Sequence, residues 1–432
     1  MGGSSAVDER TDGWRNANQA DCGVQDALQD ALTGYLSSVE LFSGAGGLAM
    51  GISQAGFRHE AVVERDRFAC DTIRENQLRG IEPVVHWPLI EGDVCKLDYS
   101  NFPRGIDVLA GGPPCQPFSI GGKHQGYSDD RDMFPEVVRA TRELAPRSVL
   151  FENVRGLLRP AFARYFAYIV FQISYPEITR FPDELWSDHL GRLERHHTST
   201  GECDGRTYRV RFGAFNAADY GVPQKRYRVI IVGFRSDLEM DWCFPQPTHS
   251  LDALLWDQWV RGDYWERHEV ATKDRPDAPA WLAPRVARLR GQLWPPTGAP
   301  WVTVRDAIGN LPDPEPGVEA AGVLNHRLQA GAKSYAGHTG SPLDEPAKAL
   351  KAGDHGVPGG ENMLAFPDGR VRYFTVRESA RIQTFPDDFL FHGSWTETMR
   401  QLGNAVPVTL ARVLASSIRQ RLGEAEIEDW DR

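Results

Sequence analysis

Val39-Glu40-Leu41-Phe42-Ser43-Gly44-Ala45-Gly46-Gly47-Leu48-Ala49 is the stretch on which the fold turns. A strand-like run, Val39–Phe42, ends in glycines and gives way to a helical pattern that continues to Ala55. Glycines let the backbone turn tightly and come close to a ligand, and the helix N-terminus that follows adds a positive field. The same alternation repeats outward along the chain. Ala61–Val63 ends in Glu64, before a helical pattern from Asp66 to about Gln77. Asp107–Ala110 ends in Gly111-Gly112-Pro113-Pro114, and Ser148–Phe151 ends in Glu152-Asn153. Val229–Val232 closes the series before Gly233. Strands and helices that alternate, with polar residues at the strand ends, predict a doubly wound α/β sheet. Ligands of such sheets bind beyond the carboxyl ends of the strands.

The rest of the chain fits around that sheet. Residues 1–36 are polar and read as an extension. From about Leu238 to Gly369 the chain is rich in Pro, Gly and Trp without a clear period, which predicts a second, irregular domain or large insertion. Helical patterns return at Val376–Thr384 and Val408–Gln420, before an acidic tail that reads as solvated. The 432 residues are 41% hydrophobic, enough for a sizeable core of two or three domains. A net charge of −11 excludes a wholly basic, histone-like coat but leaves room for a local basic groove. No apolar run approaches the ~20 residues that span a bilayer. The longest, Tyr165–Tyr175, reads as a buried helix. The six cysteines form no CxxC pair, which predicts a reduced cytosolic protein without disulfides or zinc. The N-terminus lacks the pattern of a signal peptide, and Ala6 stands where a myristoylation signal has Ser or Thr.

Three segments carry chemistry. In the glycine turn, Gly44-x-Gly46-x-x-Ala49 fits a loose dinucleotide fingerprint, and Glu64 lies where a carboxylate accepts hydrogen bonds from ribose. The turn announces a nucleoside cofactor without choosing between nicotinamide and S-adenosylmethionine (AdoMet). Gly111-Gly112-Pro113-Pro114-Cys115-Gln116-Pro117-Phe118-Ser119 can continue neither strand nor helix, and presents one thiol at a strand end as a nucleophile. The glycine-hinged Ile120–Gly126 that follows reads as a lid or a surface loop. Glu152, at the next strand end, points at the same ligand face and in its protonated form can donate to a ring nitrogen. Cys70 and Cys95 read as structural fillers.

Six segments, in order, resemble the DNA cytosine-5 methyltransferases of bacterial restriction-modification systems. They are Leu41–Gly47, Gly112–Ser119, Glu152-Asn153-Val154, Gln224-Lys225-Arg226-Tyr227-Arg228, Arg377–Pro386 and Gly403-Asn404-Ala405-Val406-Pro407. The resemblance implies a Rossmann-like AdoMet-dependent methyltransferase sheet with a second, smaller, irregular target-recognition domain. It divides the chain into an extension (1–36), a catalytic domain (37–236), a target-recognition domain (237–385) and a returning segment (386–432). Phe42 would stack on adenine, Glu64 hold the ribose and Asp93 reach the adenine amine. Ser43, Gly44, Gly46, Gly47, Pro114 and Asn404 would complete the AdoMet site, with S-adenosylhomocysteine as product and no metal. Cys115 would be the nucleophile, with Glu152, Arg226 and Arg228 holding a flipped-out cytosine.

The implied substrate is double-stranded DNA. Gln116, Ser119, Lys123, Arg206, Arg209, Lys225 and Arg235 are the candidate DNA contacts. From Arg206 to Arg235 there are seven basic residues against the single acid Asp219, which predicts a phosphate-binding patch beside the site. Arg285, Arg288, Arg290, Arg327, Lys333, Lys348, Lys351 and Arg370 are candidate base readers. The resemblance further implies a cytoplasmic monomer that protects DNA, beside a possible independent restriction endonuclease. Three features depart from the pattern. Arg65 stands where many relatives carry a large apolar residue. Glu177–Arg206 looks inserted, and its His196, His197 and Cys203 are poorly spaced for zinc. The N-terminal extension has no counterpart. Other readings are a transfer-RNA cytosine methyltransferase, a silent DNA- or AdoMet-binding regulator, and a nicotinamide dehydrogenase. The long variable region favours DNA, and the intact Cys115, Glu152, Arg226 and Arg228 favour chemistry.

Overall fold

The structure, a computed structural model, describes residues 35–114, 132–199, 205–336, 339–353 and 360–430. Seven strands form the central sheet: β1 (Leu36–Leu41), β2 (Phe57–Glu64), β3 (Leu89–Glu91), β4 (Val108–Gly111), β5 (Ser148–Val154), β6 (Tyr208–Asn216) and β7 (Tyr227–Arg235). Their spatial order is β3-β2-β1-β4-β5-β7-β6. The first five are parallel, and β7 runs antiparallel to both β5 and β6. The order reverses direction between β1 and β4, the place where open α/β sheets bind their ligands. Sequence periodicity had not marked β3 or β6. β6 is an edge strand whose outer residues alternate between exposed and half-buried, so it lacks an apolar run.

Alternate residues of each strand face opposite helical layers, because strand side chains have a period of two. Val39, Leu41, Leu109, Val149, Phe151, Val229 and Ile231 share a core with α3 (Phe134–Leu144), α4 (Ala163–Ser174) and α5 (Trp186–Thr198). Val108, Ala110, Leu150, Ile230 and Val232 share another with α1 (Gly47–Gln54) and the C-terminal helix. The apolar Tyr165–Tyr175 run is thus the buried α4, and α5 fills the apparent insertion. α2 (Arg67–Leu78) follows Asp66, whose side chain accepts from the Ala69 N–H as an N-cap.

Packing divides the chain elsewhere than at residue 385. Among the described residues, only the stretch of about 251–301 has small cores of its own. In it α6 (Leu251–Trp256), α7 (Asp263–Arg267) and α8 (Ala283–Arg290) gather around Leu255, Leu282, Val286, Leu289, Tyr264 and Trp265. From α9 (Val304–Ile308) onward the chain packs back on the catalytic body. Val304, Leu350, Phe374, Ala380, Phe389 and Leu402 share a core with Ala49, Met50, Val62 and Trp87. α10 (Val376–Ile382) and α11 (Trp395–Asn404) belong to that core, so the return begins well before residue 386. α12 (Val408–Trp430) carries the helix past Gln420 into the acidic stretch read as a tail.

Candidate active site

The glycine turn is shaped by contacts that exclude side chains. Gly44 and Gly46 have φ of +55° and +88°. A Cβ on Gly46 would lie 2.5 Å from the Trp87 ring, and one on Gly47 would lie 2.4 Å from the Val406 oxygen. Close packing therefore seats 405–406 against the turn and sets the exposed Asn404 beside it. Phe42, half-buried, is held at a φ of +58°, a conformation that costs an ordinary residue about 1–3 kcal/mol and tends to mark functional sites. The buried Ser43 hydroxyl has no hydrogen-bond partner among the described residues. Buried polar atoms are rarely left so, and this one can be satisfied by a ligand lying on the turn.

Two carboxylates stand at the neighbouring strand ends. Glu64 accepts 2.7 Å hydrogen bonds from the backbone N–H groups of Gly44, Arg65 and Asp66. Three donors fix its orientation and leave acceptor capacity on Oε2 for a ligand hydroxyl. Asp93 accepts from the Cys95 N–H at 3.0 Å, which holds its carboxyl below the usual carboxylate range. Arg65, 73% exposed, brings Nη1 to 3.9 Å from Asp93 Oδ2 at the rim of this pocket. An adenosine-type ligand fits this donor and acceptor set.

The β4 and β5 ends form the other half. A Cβ on Gly111 would meet the Leu41 oxygen at 2.6 Å, so only glycine lets β1 and β4 close up here. Asn153 Nδ2 donates to the Pro113 carbonyl at 3.2 Å, tying the segment that leads into Cys115 to the end of β5. Cys115 itself, with Gln116, Ser119 and Lys123, lies outside the described residues; Pro114, just before it, is exposed. Glu152 is 8% exposed and forms an ion pair with Arg228 Nε. Its Oε2 lies 3.4 Å from where a Gly112 Cβ would be, so the carboxylate overlooks the Cys115 approach.

Arg226 lies deeper, within electrostatic reach of Arg228 and Glu152. It is fully buried, and its guanidinium donates to the carbonyls of Leu350 (3.0 Å) and Gly403 (2.6 Å). Gln224 accepts from the Leu350 N–H at 3.0 Å and donates to Gln383 Oε1 at 3.2 Å. Gln383 in turn donates to the carbonyls of Leu402 and Ala405. This hub ties down the end of α11, which carries Asn404. Sequence reading gave Gln224 and Gln383 no role, because the two meet each other across more than a hundred residues of chain.

The basic patch is also corrected. β7 runs antiparallel to β5, with Val154 opposite Arg228 and Ser148 opposite Phe234. Arg235 and the β6 residue Arg209 thus lie at the end of the sheet opposite the site, as does Arg206, just before β6. Strand direction, which composition does not carry, decides this. Most of these cations are also neutralised by acids outside the 206–235 stretch. Arg206 pairs with Glu177 (2.7 Å), Arg211 with Asp241, Lys225 with Glu345 and Arg235 with Asp237 (each 2.8 Å). Among the candidate readers, Arg285 and Arg288 share Asp252, Lys351 pairs with Glu361 and Arg370 with Asp368. Arg290 donates to the Trp259 carbonyl, and Lys348 to the Thr339 hydroxyl. Arg327 and Lys333 are exposed, without an ion pair among the described residues. His197 Nδ1 meets the Tyr175 hydroxyl at 2.6 Å, and His196 packs edge-on to the same ring. Cys203 lies outside the described residues. Among those residues no group of three or more His, Cys, Asp or Glu side chains converges, and no helix is long and apolar enough to cross a membrane.

A family model described as C-5 cytosine-specific DNA methylase matches residues 36–174, 191–270 and 323–420. The chain belongs to this family. It is a DNA (cytosine-5-)-methyltransferase. The methylase is 32% identical to the Type II methyltransferase M.PspPI of Psychrobacter over 90% of its own length and 80% of that protein. It is 31% identical to M.NgoMIV of Neisseria gonorrhoeae, over 89% of its own length and 98% of the relative. M.Eco47II of Escherichia coli is also 31% identical, over 88% of this chain and 78% of that one. The family match skips residues 175–190 and 271–322 of the methylase. Those gaps take in the chain before α5 and much of the helical subdomain, the stretches where this molecule goes its own way.

Proposed function

We propose that the methylase transfers a methyl group from AdoMet to C5 of a cytosine flipped out of a specific short double-stranded DNA sequence. The observation that carries this reading is the buried Glu152–Arg228 pair, set beside the Gly112–Pro114 approach to Cys115 and two strands away from the glycine turn. Phe42, Ser43, Glu64, Asp93 and Asn404 would hold AdoMet, and the orphaned Ser43 hydroxyl supports that fit. When bound there, AdoMet supplies an electrophilic methyl group.

The chain's own residues do the rest. Cytosine C5 is a poor nucleophile inside an aromatic ring. The Cys115 thiolate adds to C6, forms a carbon–sulfur bond and makes C5 enamine-like. Glu152, oriented by Arg228, binds N3 and stabilises the charge that builds on the ring. After methylation a base removes the C5 proton, the carbon–sulfur bond breaks, and the thiolate leaves. A base stacked in a duplex is out of reach of such a site, so it is extruded at a cost of a few kcal/mol. The biological reading is protection of DNA against a cognate endonuclease, by a protein acting as a monomer in the cytoplasm.

The test is base-resolution mapping of 5-methylcytosine in a host that lacks the mark, expressing the wild type or Cys115→Ala. Methylation at one short motif with the wild type alone is the expected result. Equal methylation with the variant would remove Cys115 from the mechanism. None from a folded, AdoMet-binding wild type would move the substrate to RNA.

A further inference from the structure

Arg206, Arg209 and Arg235, expected beside the site, lie at the far end of the sheet, and a different set of cations stands at the near end. Directly after Glu152-Asn153-Val154 the chain reads Arg155-Gly156-Leu157-Leu158-Arg159-Pro160-Ala161-Phe162-Ala163-Arg164. No acidic residue occurs from 153 to 176. Leu157 and Phe162 are buried in the sheet core and Leu158 packs against it, which pins the segment to the carboxyl end of β5. Arg155 and Arg164 are exposed and Arg159 is half-buried. None of the three has a carboxylate partner among the described residues, in contrast to Arg206, Arg211, Lys225 and Arg235. Arg155 is held 5.1 Å above the ring of Tyr227, which is 45% exposed and adjoins Arg228, the partner of Glu152. Arg164 stands in the first turn of α4, where the helix dipole disfavours a cation and no acidic side chain offsets it. Folding gives no reason for this placement.

We propose that Arg155, Arg159 and Arg164 form a track for the phosphodiester backbone of the DNA, gripping the strand beside the cytosine presented to Glu152. This rests on the reading of Glu152 as the base-holding acid. The track neutralises phosphates and reads no bases. It therefore supplies affinity and register, while sequence discrimination comes from elsewhere. Its three positive charges stand in a chain of net charge −11, so the attraction is local and steers the duplex to the site face.

The test measures the binding of fluorescein-labelled duplexes, with and without the methylated motif, by Arg155→Gln, Arg159→Gln, Arg164→Gln and the triple variant, across a salt series. AdoMet binding by calorimetry and the thermal midpoint verify that each variant is folded. Each lost phosphate contact lowers the slope of log K against log salt by about 0.9, and the triple variant by about 2.7. Between roughly 50 and 200 mM salt the wild type should then lose about 40-fold more affinity than the triple variant. The ratio of affinities for the two duplexes should not change. Arg209→Gln, the same charge change at the far end of the sheet, should leave the slope as it is. Unchanged slopes in all three single variants, or an equal fall with Arg209→Gln, would overturn the track while leaving the methylation reading intact. A wild type that binds no duplex at all would overturn both.

Discussion

Arg226 and Arg228 lie two residues apart, yet one donates to backbone carbonyls of distant segments and the other forms an ion pair with a carboxylate at the site. Replacing each should therefore read out differently. Arg226→Met leaves the Leu350 and Gly403 carbonyls buried without donors, at a cost of roughly 3 kcal/mol or more. Urea denaturation should show that loss. Calorimetry should show weaker AdoMet binding, because the end of α11 carrying Asn404 is no longer tied down. An unaltered denaturation midpoint would put Arg226 back among the base-binding candidates. Glu152→Gln keeps the shape of the site and removes the acid. Its single-turnover methylation should slow by about 10²-fold or more, while duplex affinity changes only a few-fold. An unchanged single-turnover rate would exclude the assigned role.

At the scale of the element, the turn between β1 and α1 works because three other segments crowd it. Gly46→Ala combines a strained φ with a Cβ 2.5 Å from Trp87, and should cost roughly 3 kcal/mol or more. The clash and the strain are separable. Adding Trp87→Leu relieves the clash alone, so a double-mutant cycle should show coupling of about 1 kcal/mol or more in favour of the pair. Independent effects would mean that the turn, and not its packing, sets the requirement. The strand-turn-helix pattern and the glycines were legible in sequence, because a tight turn at a strand end leaves a local signature. Trp87 was not, since it reaches the turn from the segment before β3.

At the scale of the whole molecule, buried titratable groups couple stability to pH. His59 is fully buried; Nε2 donates to the Ala49 carbonyl at 3.1 Å and Nδ1 accepts from the Ser38 hydroxyl at 2.9 Å. Burial holds its pKa down to about 4. The unfolded chain takes up a proton near 6.5, while the folded chain resists until about 4. Stability from this group is therefore complete above about 6.5 and is lost as the pH falls towards 4. The loss should reach about 2 kcal/mol between roughly pH 7 and pH 5. His59→Gln should flatten the profile of unfolding free energy by that amount over the same window. An unchanged profile would mean that His59 is solvated enough to titrate normally. Glu40, buried on the same sheet face, is pushed well above the usual carboxylate range by burial. It bends the profile the opposite way, its contribution being lost as the pH rises, so the comparison with the His59 variant isolates the histidine.

The sequence by itself determined four of the five parallel strands, the glycine turn, the acidic strand ends and the family. These are written in local periodicity and in short motifs, which survive without knowledge of what lies opposite them. Only the tertiary structure decided which arginines face the site. Arg206, Arg209 and Arg235 were placed beside it by counting charges, and the antiparallel run of β7 puts them at the far end. Their acids, Glu177 and Asp237, lay outside or at the edge of the stretch that was counted. Likewise Arg226 matched a motif, and only the structure shows its guanidinium donating to the carbonyls of residues 350 and 403. Charge acts through space over distances of several ångströms, and those distances are set by strand direction and chain return, neither of which is encoded in neighbouring residues.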